Sequence, residues 1–70
     1  MSMQEIGDTL RKRRKTLGIT QASLADLAGV NTNTVIRIEN GKINPKIGVV
    51  KSIAVVLGME LVLRVKQQAE

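Results

Sequence analysis

The segment TQASLADLAGVNTNTVIRIENG, residues 20–41, decides the fold of this chain. Thr20 is a suitable N-cap because its hydroxyl can accept a hydrogen bond from a free backbone N–H of the first helical turn. Four apolar residues at helical spacing then predict one inward face: Leu24, Ala25, Leu27 and Ala28. Gly29 stands where a helix ends in a left-handed residue. The segment therefore opens with a short, glycine-terminated helix.

A second short helix follows with the same start and stop signals. Asn31 is its predicted N-cap, and Val30 and Val35 are spaced as a hydrophobic staple around that cap. Val35 and Ile38 are predicted to face inward, and Gly41 closes the helix. The segment as a whole predicts two helices joined by one tight turn.

The composition excludes several classes of function. The 70 residues include no Cys, His, Phe, Tyr or Trp, so the core must be aliphatic and thiolate or imidazole chemistry is ruled out. We therefore expect neither an enzyme nor a cofactor or metal site. No apolar run is long enough to cross a membrane and no signal peptide is recognisable, so a bacterial cytoplasmic protein is expected. The formal charge of +5 suits a polyanionic partner.

Two further helices are predicted on either side of the central segment. Residues 1–17 predict a first helix that Ser2 caps and that has an apolar stripe of Ile6, Leu10 and Leu17. Residues 46–57 predict a fourth helix that Gly58 ends. The core stripe of this fourth helix is predicted to be Ile47, Val50, Ile53, Ala54 and Leu57. Three further valines, Val49, Val55 and Val56, add apolar surface that indicates a protein interface, with scattered surface valines as the alternative.

Residues 59–66, MELVLRVK, alternate with a period of two and predict a β-strand. One face carries Met59, Leu61, Leu63 and Val65; the other carries Glu60, Val62, Arg64 and Lys66. No other segment offers a strand for pairing, so we expect an antiparallel ribbon with a second copy across a two-fold axis. The residues expected to contact the second copy are Met59, Leu61, Val62, Leu63 and Val65. A fifth helix is the alternative, and residues 67–70 predict a flexible tail.

The motif TQxxLAxxAGV at residues 20–30, followed by RIENG at residues 37–41, resembles the phage-repressor family of helix-turn-helix proteins, also called Cro/CI or Xre. The resemblance extends from about residue 6 to residue 57. It implies an all-α, lambda-repressor-like domain of four helices in residues 1–58, followed here by the dimerisation strand 59–66. It also implies a homodimeric transcriptional repressor that binds double-stranded DNA at a palindromic operator.

The resemblance also implies which residues contact DNA. Four outward positions of the second central helix match base-contacting positions of the family: Thr32, Asn33, Ile36 and Arg37. Asn33 can bond adenine, Arg37 can bond guanine with two hydrogen bonds, and Ile36 can contact a thymine methyl group. The positions that match contacts to the phosphate backbone are Gln21, Asn31, Thr34, Asn40, Lys42 and Lys46.

Two arginines near the end of the first helix have different expected roles. In the resembled family, an arginine at the position of Arg14 pairs with a glutamate at the position of Glu39, so we expect a structural ion pair here. Arg13 falls near the apolar stripe, and the sequence leaves open whether it extends outward or contacts phosphate.

The combination of a helix-turn-helix with a C-terminal strand resembles the HipB-like antitoxins. These proteins dimerise through such a strand, repress their own operon and bind a HipA-like kinase toxin. A stand-alone phage or chromosomal regulator is an alternative. A protein-interaction module that has lost DNA binding is a third possibility, against which Asn33 and Arg37 argue.

Overall fold

The computed structural model describes residues 2–66 of the chain, which contain four α-helices. They are α1 (Met3–Thr16), α2 (Gln21–Ala28), α3 (Thr32–Glu39) and α4 (Ile47–Val56). The predicted all-α architecture is confirmed, and the ends of the first and fourth helices lie within two residues of their predicted positions. No helix in this part of the chain is long and apolar enough to span a bilayer.

The helix starts of α1 and α2 are fixed by side-chain caps. Ser2 Oγ accepts from the Glu5 N–H at 3.1 Å, and Glu5 Oε1 accepts from the Ser2 N–H at 3.2 Å, which makes a reciprocal capping box. Thr20 Oγ1 accepts from the Ser23 N–H at 3.0 Å. Gly29 follows α2 with φ of +72°, the left-handed conformation predicted for it.

The core is aliphatic and lies where α3 packs against α1 and α2, and where α2 packs against α4. Its buried side chains come from all four helices: Leu10, Leu24, Ala25, Val35, Ile38, Ile53, Ala54 and the α4 C-cap Leu57. Because α3 contributes Val35 and Ile38 to this core, its opposite side is left to face solvent.

Three residues predicted to face inward are exposed instead. Leu27 is 66% exposed because the buried side of α2 is formed by Leu24 and Ala25, from whose centre Leu27 lies roughly 100° around the helix axis. Ile47 is also 66% exposed, since the buried residues of α4 lie in its C-terminal half. Leu17, 42% exposed, is the C-cap of α1 and stands where the helical repeat stops.

The surplus valines of α4 divide into two groups. Val49 and Val56 are partly buried and pack against the core, whereas Val55 is 65% exposed. Of these three valines only Val55 is exposed, and Ile47 is the other large apolar side chain that α4 exposes.

The C-terminal segment leaves the core immediately after α4. Met59 packs partly against the core, while residues 60–66 are exposed and not helical, so the alternative of a fifth helix is wrong for residues 59–66. Residues 2–66 contain no β-strand, so the predicted strand does not form within the chain. The physical reason is that a strand needs a neighbour to complete its hydrogen bonds, and no other segment runs beside this one. The predicted tail, residues 67–70, lies outside the described residues.

Candidate nucleic-acid interface

The two sides of α3 differ sharply in exposure. Val35, Ile38 and Glu39 are buried. Thr32, Asn33 and Arg37 are exposed on the other side. Positions three to four residues apart lie on one helix face. Together with the half-buried Ile36, these three residues therefore form one outward surface. The structure thus brings together the four positions expected to contact bases.

Arg14 and Glu39 form a buried ion pair that joins α1 to the end of α3. Arg14 Nε donates to Glu39 Oε2 at 2.6 Å, and a second guanidinium nitrogen donates to Oε1 at 3.0 Å. A third nitrogen donates to the carbonyl oxygen of Ile19 at 2.9 Å. Arg14 is 8% exposed and Glu39 is 3% exposed. The hydrogen bond to the Glu39 carboxylate raises the pKa of Arg14 above its ordinary value. The Arg14 guanidinium therefore stays charged, and none of the buried side-chain polar atoms of the pair lacks a hydrogen-bond partner.

Gln21, expected to bind phosphate, is already engaged with this ion pair. Its Nε2 donates to Glu39 Oε1 at 3.1 Å. An amide NH2 group carries two hydrogens and the amide oxygen remains an acceptor, so one donor of Gln21 is left for another partner. Since Gln21 is the first residue of α2, its bond to Glu39 connects the start of α2 to the end of α3.

The helix starts of α3 and α4 differ from those of α1 and α2. Asn31 and Lys46 occupy the N-cap positions, but neither side chain makes a capping hydrogen bond. The side-chain capping bond expected of Asn31 therefore does not form, although Asn31 is the N-cap residue of α3 as predicted. N–H groups at a helix start that lack a side-chain acceptor favour anions, so both ends are chemically suited to phosphate.

The remaining phosphate-contact candidates lie at the surface. Asn31, Asn40, Lys42 and Lys46 are exposed or half-buried, as are Gln21 and Thr34. Lys42 follows Gly41, whose φ of +67° turns the chain sharply after α3. Among residues 2–66, no group of acidic side chains converges in a way that could hold a metal ion.

Two residues important to this geometry were missed by the sequence analysis or left open by it. Gly7 of α1 faces the backbone at the end of α3, where a β-carbon would overlap the carbonyl oxygen of Ile38. A glycine inside a helical pattern is only a weak signal of such contact. Arg13 is exposed, and its Nε donates to the carbonyl oxygen of Leu57 at 2.9 Å. It therefore caps the C-terminal end of α4 with a positive charge.

Comparison with known proteins identifies the arrangement of α2 and α3. The family model described as helix-turn-helix (HTH_3) matches residues 10–63. This protein belongs to the helix-turn-helix family of the Xre and Cro/CI type. Members of the family are DNA-binding transcription regulators, and the helix-turn-helix of this regulator is formed by α2 and α3.

Two similar proteins support the assignment to the helix-turn-helix family. An uncharacterized HTH-type transcriptional regulator of Methanothermobacter thermautotrophicus (strain Delta H) is 41% identical over 51 residues, covering 73% of this chain and 74% of the relative. The crystal structure of the restriction-modification controller protein C.AhdI from Aeromonas hydrophila matches with a TM-score of 0.80 and 29% identity. That match covers 83% of this chain and 88% of C.AhdI.

Proposed function

We propose that this protein is a homodimeric transcriptional repressor that recognises a palindromic operator through the outward face of α3. The observation that carries the proposal is the exposure of Thr32, Asn33 and Arg37 on one side of a helix whose other side is buried. A recognition helix of this kind enters the major groove with its N-terminal residues towards the base edges.

The side chains on this face have complementary recognition chemistry. Asn33 can bond adenine N6 and N7, and Arg37 can bond guanine O6 and N7. Thr32 can bond either a base or a phosphate. Ile36 is apolar on an otherwise polar face, which suits a thymine methyl group. These residues together offer contacts for several successive base pairs.

A second set of groups surrounds this face and suits the phosphate backbone. The proposed phosphate contacts are Gln21, Asn31, Thr34, Asn40, Lys42 and Lys46. Lys42 and Lys46 are surface cations, and the chain carries a formal charge of +5. Contacts of this type set the register on the duplex and give an affinity that falls with salt.

Dimerisation supplies the second half-site, because one helix contacts too few base pairs for genomic specificity. In the proposed dimer, the segment 59–66 pairs with its copy through Met59, Leu61, Val62, Leu63 and Val65. Two α3 helices that read successive turns of one duplex must lie about 34 Å apart, the length of one turn of DNA. The exposure of residues 60–66 leaves their backbone accessible for such pairing. The proposed place of action is the bacterial cytoplasm, on the nucleoid.

Selection of duplexes from random sequence, followed by a mass measurement in solution, tests this function. We expect an enriched inverted repeat with half-sites one helical turn apart, bound by two copies of the chain. The Asn33→Ala/Arg37→Ala variant is the control and should lose the enrichment. Equal retention of all duplexes by a monomeric wild-type protein would overturn the proposal. Partner binding without duplex binding would instead support an interaction module.

Two kinds of regulated genes fit the repressor. The similarity to C.AhdI favours control of restriction-modification genes. The exposed C-terminal segment, which resembles that of HipB-like antitoxins, favours an antitoxin that binds a HipA-like kinase and represses its own operon. Purification from the native host, together with the location of the operator, distinguishes the controller from the antitoxin. A kinase-like protein that co-purifies would support the antitoxin, and an operator upstream of a restriction gene would support the controller.

A further inference from the structure

One side of α1 packs against the C-terminal end of α3 and the turn that follows it. A β-carbon at Gly7 would stand 3.0 Å from the carbonyl oxygen of Glu39. Arg14, two helical turns further along α1, bonds the Glu39 carboxylate. Gln4 borders the turn itself, because a β-carbon at Gly41 would stand 3.1 Å from the Cα of Gln4. α1 therefore runs beside the last residue of α3 and the start of the next loop.

Two cations of α1 lie at the solvent edge of this contact. Arg11 follows Gly7 by four residues and precedes Arg14 by three, so it lies towards the same side of the helix. It also follows Gln4 by about two helical turns, and Lys15 stands four residues after it. The exposed residues Gln4, Arg11 and Lys15 form what we call the α1 flank.

The two cations of the α1 flank are not neutralised by the described part of the chain. Among residues 2–66, neither Arg11 nor Lys15 takes part in an ion pair. The two carboxylates near them are engaged elsewhere. Glu39 is paired with Arg14, and Asp8 accepts a hydrogen bond from Gln4 Nε2 at 3.1 Å. The α1 flank therefore presents two positive charges that suit an external anion.

The position of α3 indicates which anion the α1 flank meets. A recognition helix points its N-terminal residues at the base edges, so its C-terminal end lies nearer to the phosphate backbone that borders the groove. Lys42 is exposed just beyond that end and is already a proposed phosphate contact. Since the α1 flank runs beside the same end of α3, its cations lie towards the same stretch of backbone.

We propose that Arg11 and Lys15 bind DNA phosphates, so that α1 contacts the duplex in addition to the helix-turn-helix. The proposal rests on the DNA binding proposed above and adds a contact outside α2, α3 and the start of α4. Arg11 can hold one phosphate with two parallel N–H donors, whereas Lys15 acts as a point charge. Such contacts carry no sequence information, but they add affinity and orient the protein on the duplex.

The other cations of α1 do not share this position. Arg14 is buried in its ion pair, and Arg13 bonds the carbonyl oxygen of Leu57 at the end of α4. Lys12 is exposed, but it lies roughly 150° around the helix axis from the middle of the side that Gly7 and Arg14 mark. It therefore faces away from α3. Lys12 is a matched control, with the same charge on the same helix.

Neutral substitutions measure the proposed contacts. Arg11→Gln and Lys15→Gln should each weaken the binding of all duplexes alike. Each should also reduce the slope of log affinity against log salt by about 0.9, the change expected for one lost phosphate contact. Lys12→Gln should leave the slope unchanged. Arg11→Lys keeps the charge, so it should retain the slope and bind more tightly than Arg11→Gln. Circular dichroism checks that each variant remains folded.

Uncharged methylphosphonate groups locate the phosphate that Arg11 contacts. One phosphate at a time is replaced along the selected operator, and binding is compared between the wild-type protein and Arg11→Gln. We expect one position at which the replacement weakens the wild-type protein but not the variant. The same scan with Lys42→Gln should identify a different phosphate, because Lys42 lies in the turn after α3 rather than on α1.

The outcomes separate the α1 contact from operator recognition. A wild-type protein that selects its operator, with equal slopes for Arg11→Gln, Lys15→Gln and Lys12→Gln, would overturn the α1 contact and leave operator recognition intact. A methylphosphonate scan in which Arg11→Gln loses affinity at every position that affects the wild-type protein would also overturn it. A wild-type protein that binds no duplex would overturn both proposals.

Discussion

Gly7 of α1 lies directly against the backbone of Glu39, the last residue of α3. A β-carbon at Gly7 would stand 3.0 Å from the carbonyl oxygen of Glu39 and would overlap that of Ile38. Arg14, two helical turns further along the same side of α1, bonds the Glu39 side chain. Backbone contact and ion pair together fix the end of α3 against α1.

The first prediction concerns this close approach. Gly7→Ala should destabilise the domain by about 1–3 kcal/mol, because the helices must separate to admit a methyl group. Gly48→Ala is the matched control: Gly48 also lies in a helix, but nothing stands within 4 Å of the place that its new methyl group would occupy. It should stabilise the domain by about 0.5–1 kcal/mol. Urea unfolding followed by circular dichroism measures both, and equal effects would contradict the packing described for Gly7.

The second prediction concerns the buried ion pair. Arg14→Ala or Glu39→Ala should lower the free energy of unfolding by about 3–5 kcal/mol, because each leaves the other charge buried without its partner. That loss is a large share of the stability of a small domain. The double variant Arg14→Met/Glu39→Leu should recover much of it, since neither charge remains. Additive losses in the double variant, measured by denaturant unfolding, would show that the two residues act independently.

The third prediction concerns base recognition. Arg37→Ala should reduce the preference for the selected operator over a duplex with a changed half-site by about 1–3 kcal/mol. The reason is that an exposed guanidinium on α3 can bond one guanine with two hydrogen bonds. Binding titrations on both duplexes measure the ratio. An unchanged ratio, with folding intact by circular dichroism, would remove Arg37 from the recognition set.

The fourth prediction separates phosphate contact from base contact. Lys46→Ala should weaken binding to all duplexes alike and reduce the slope of log affinity against log salt by about 0.9. Lys46 lies at the start of α4, where the helix lacks a side-chain cap. Titrations at several salt concentrations give the slope. A loss confined to the selected operator would assign Lys46 to base recognition instead.

The fifth prediction concerns the C-terminal end of α4. Arg13→Ala should cost about 0.5–1.5 kcal/mol of stability, because the Leu57 carbonyl loses its hydrogen bond from Arg13 Nε. Arg11→Ala, an exposed cation on the same helix, is the control and should change stability by less than about 0.5 kcal/mol. Thermal unfolding compares the two variants, and similar shifts in Tm would mean that the bond contributes nothing measurable.

Much of this fold could be predicted because its signals are local. Thr20, Gly29 and Gly41 mark helix ends by their own conformational chemistry, and the structure has these ends where they were predicted. The buried residues Val35 and Ile38 follow from spacing within α3. The motif TQxxLAxxAGV followed by RIENG also implies this fold, because it matches the phage-repressor family at many positions with fixed spacing.

The remaining features depend on how the helices meet, which local patterns do not contain. In the eight-residue helix α2, the four apolar positions predicted to face inward spread over a wide arc, so spacing alone does not show that Leu27 lies outside the buried side. The predicted burial of Ile47 is wrong for a related reason, because the buried residues of α4 lie at the other end of the helix. Gly7 and Arg13 act across 31 and 44 residues of sequence, respectively, on backbone atoms that carry no side-chain signature.

The bond from Gln21 to Glu39 adds a second restraint on the residue that Arg14 already holds. Because α1 and α2 both hydrogen-bond to the end of α3, this helix cannot rotate about its own axis without breaking buried polar contacts. The solvent-facing side chains of α3 can consequently be substituted without changing the orientation of the helix. Retargeting the regulator to a new operator should need replacements at positions 32, 33, 36 and 37 only, with the scaffold behind them left unaltered.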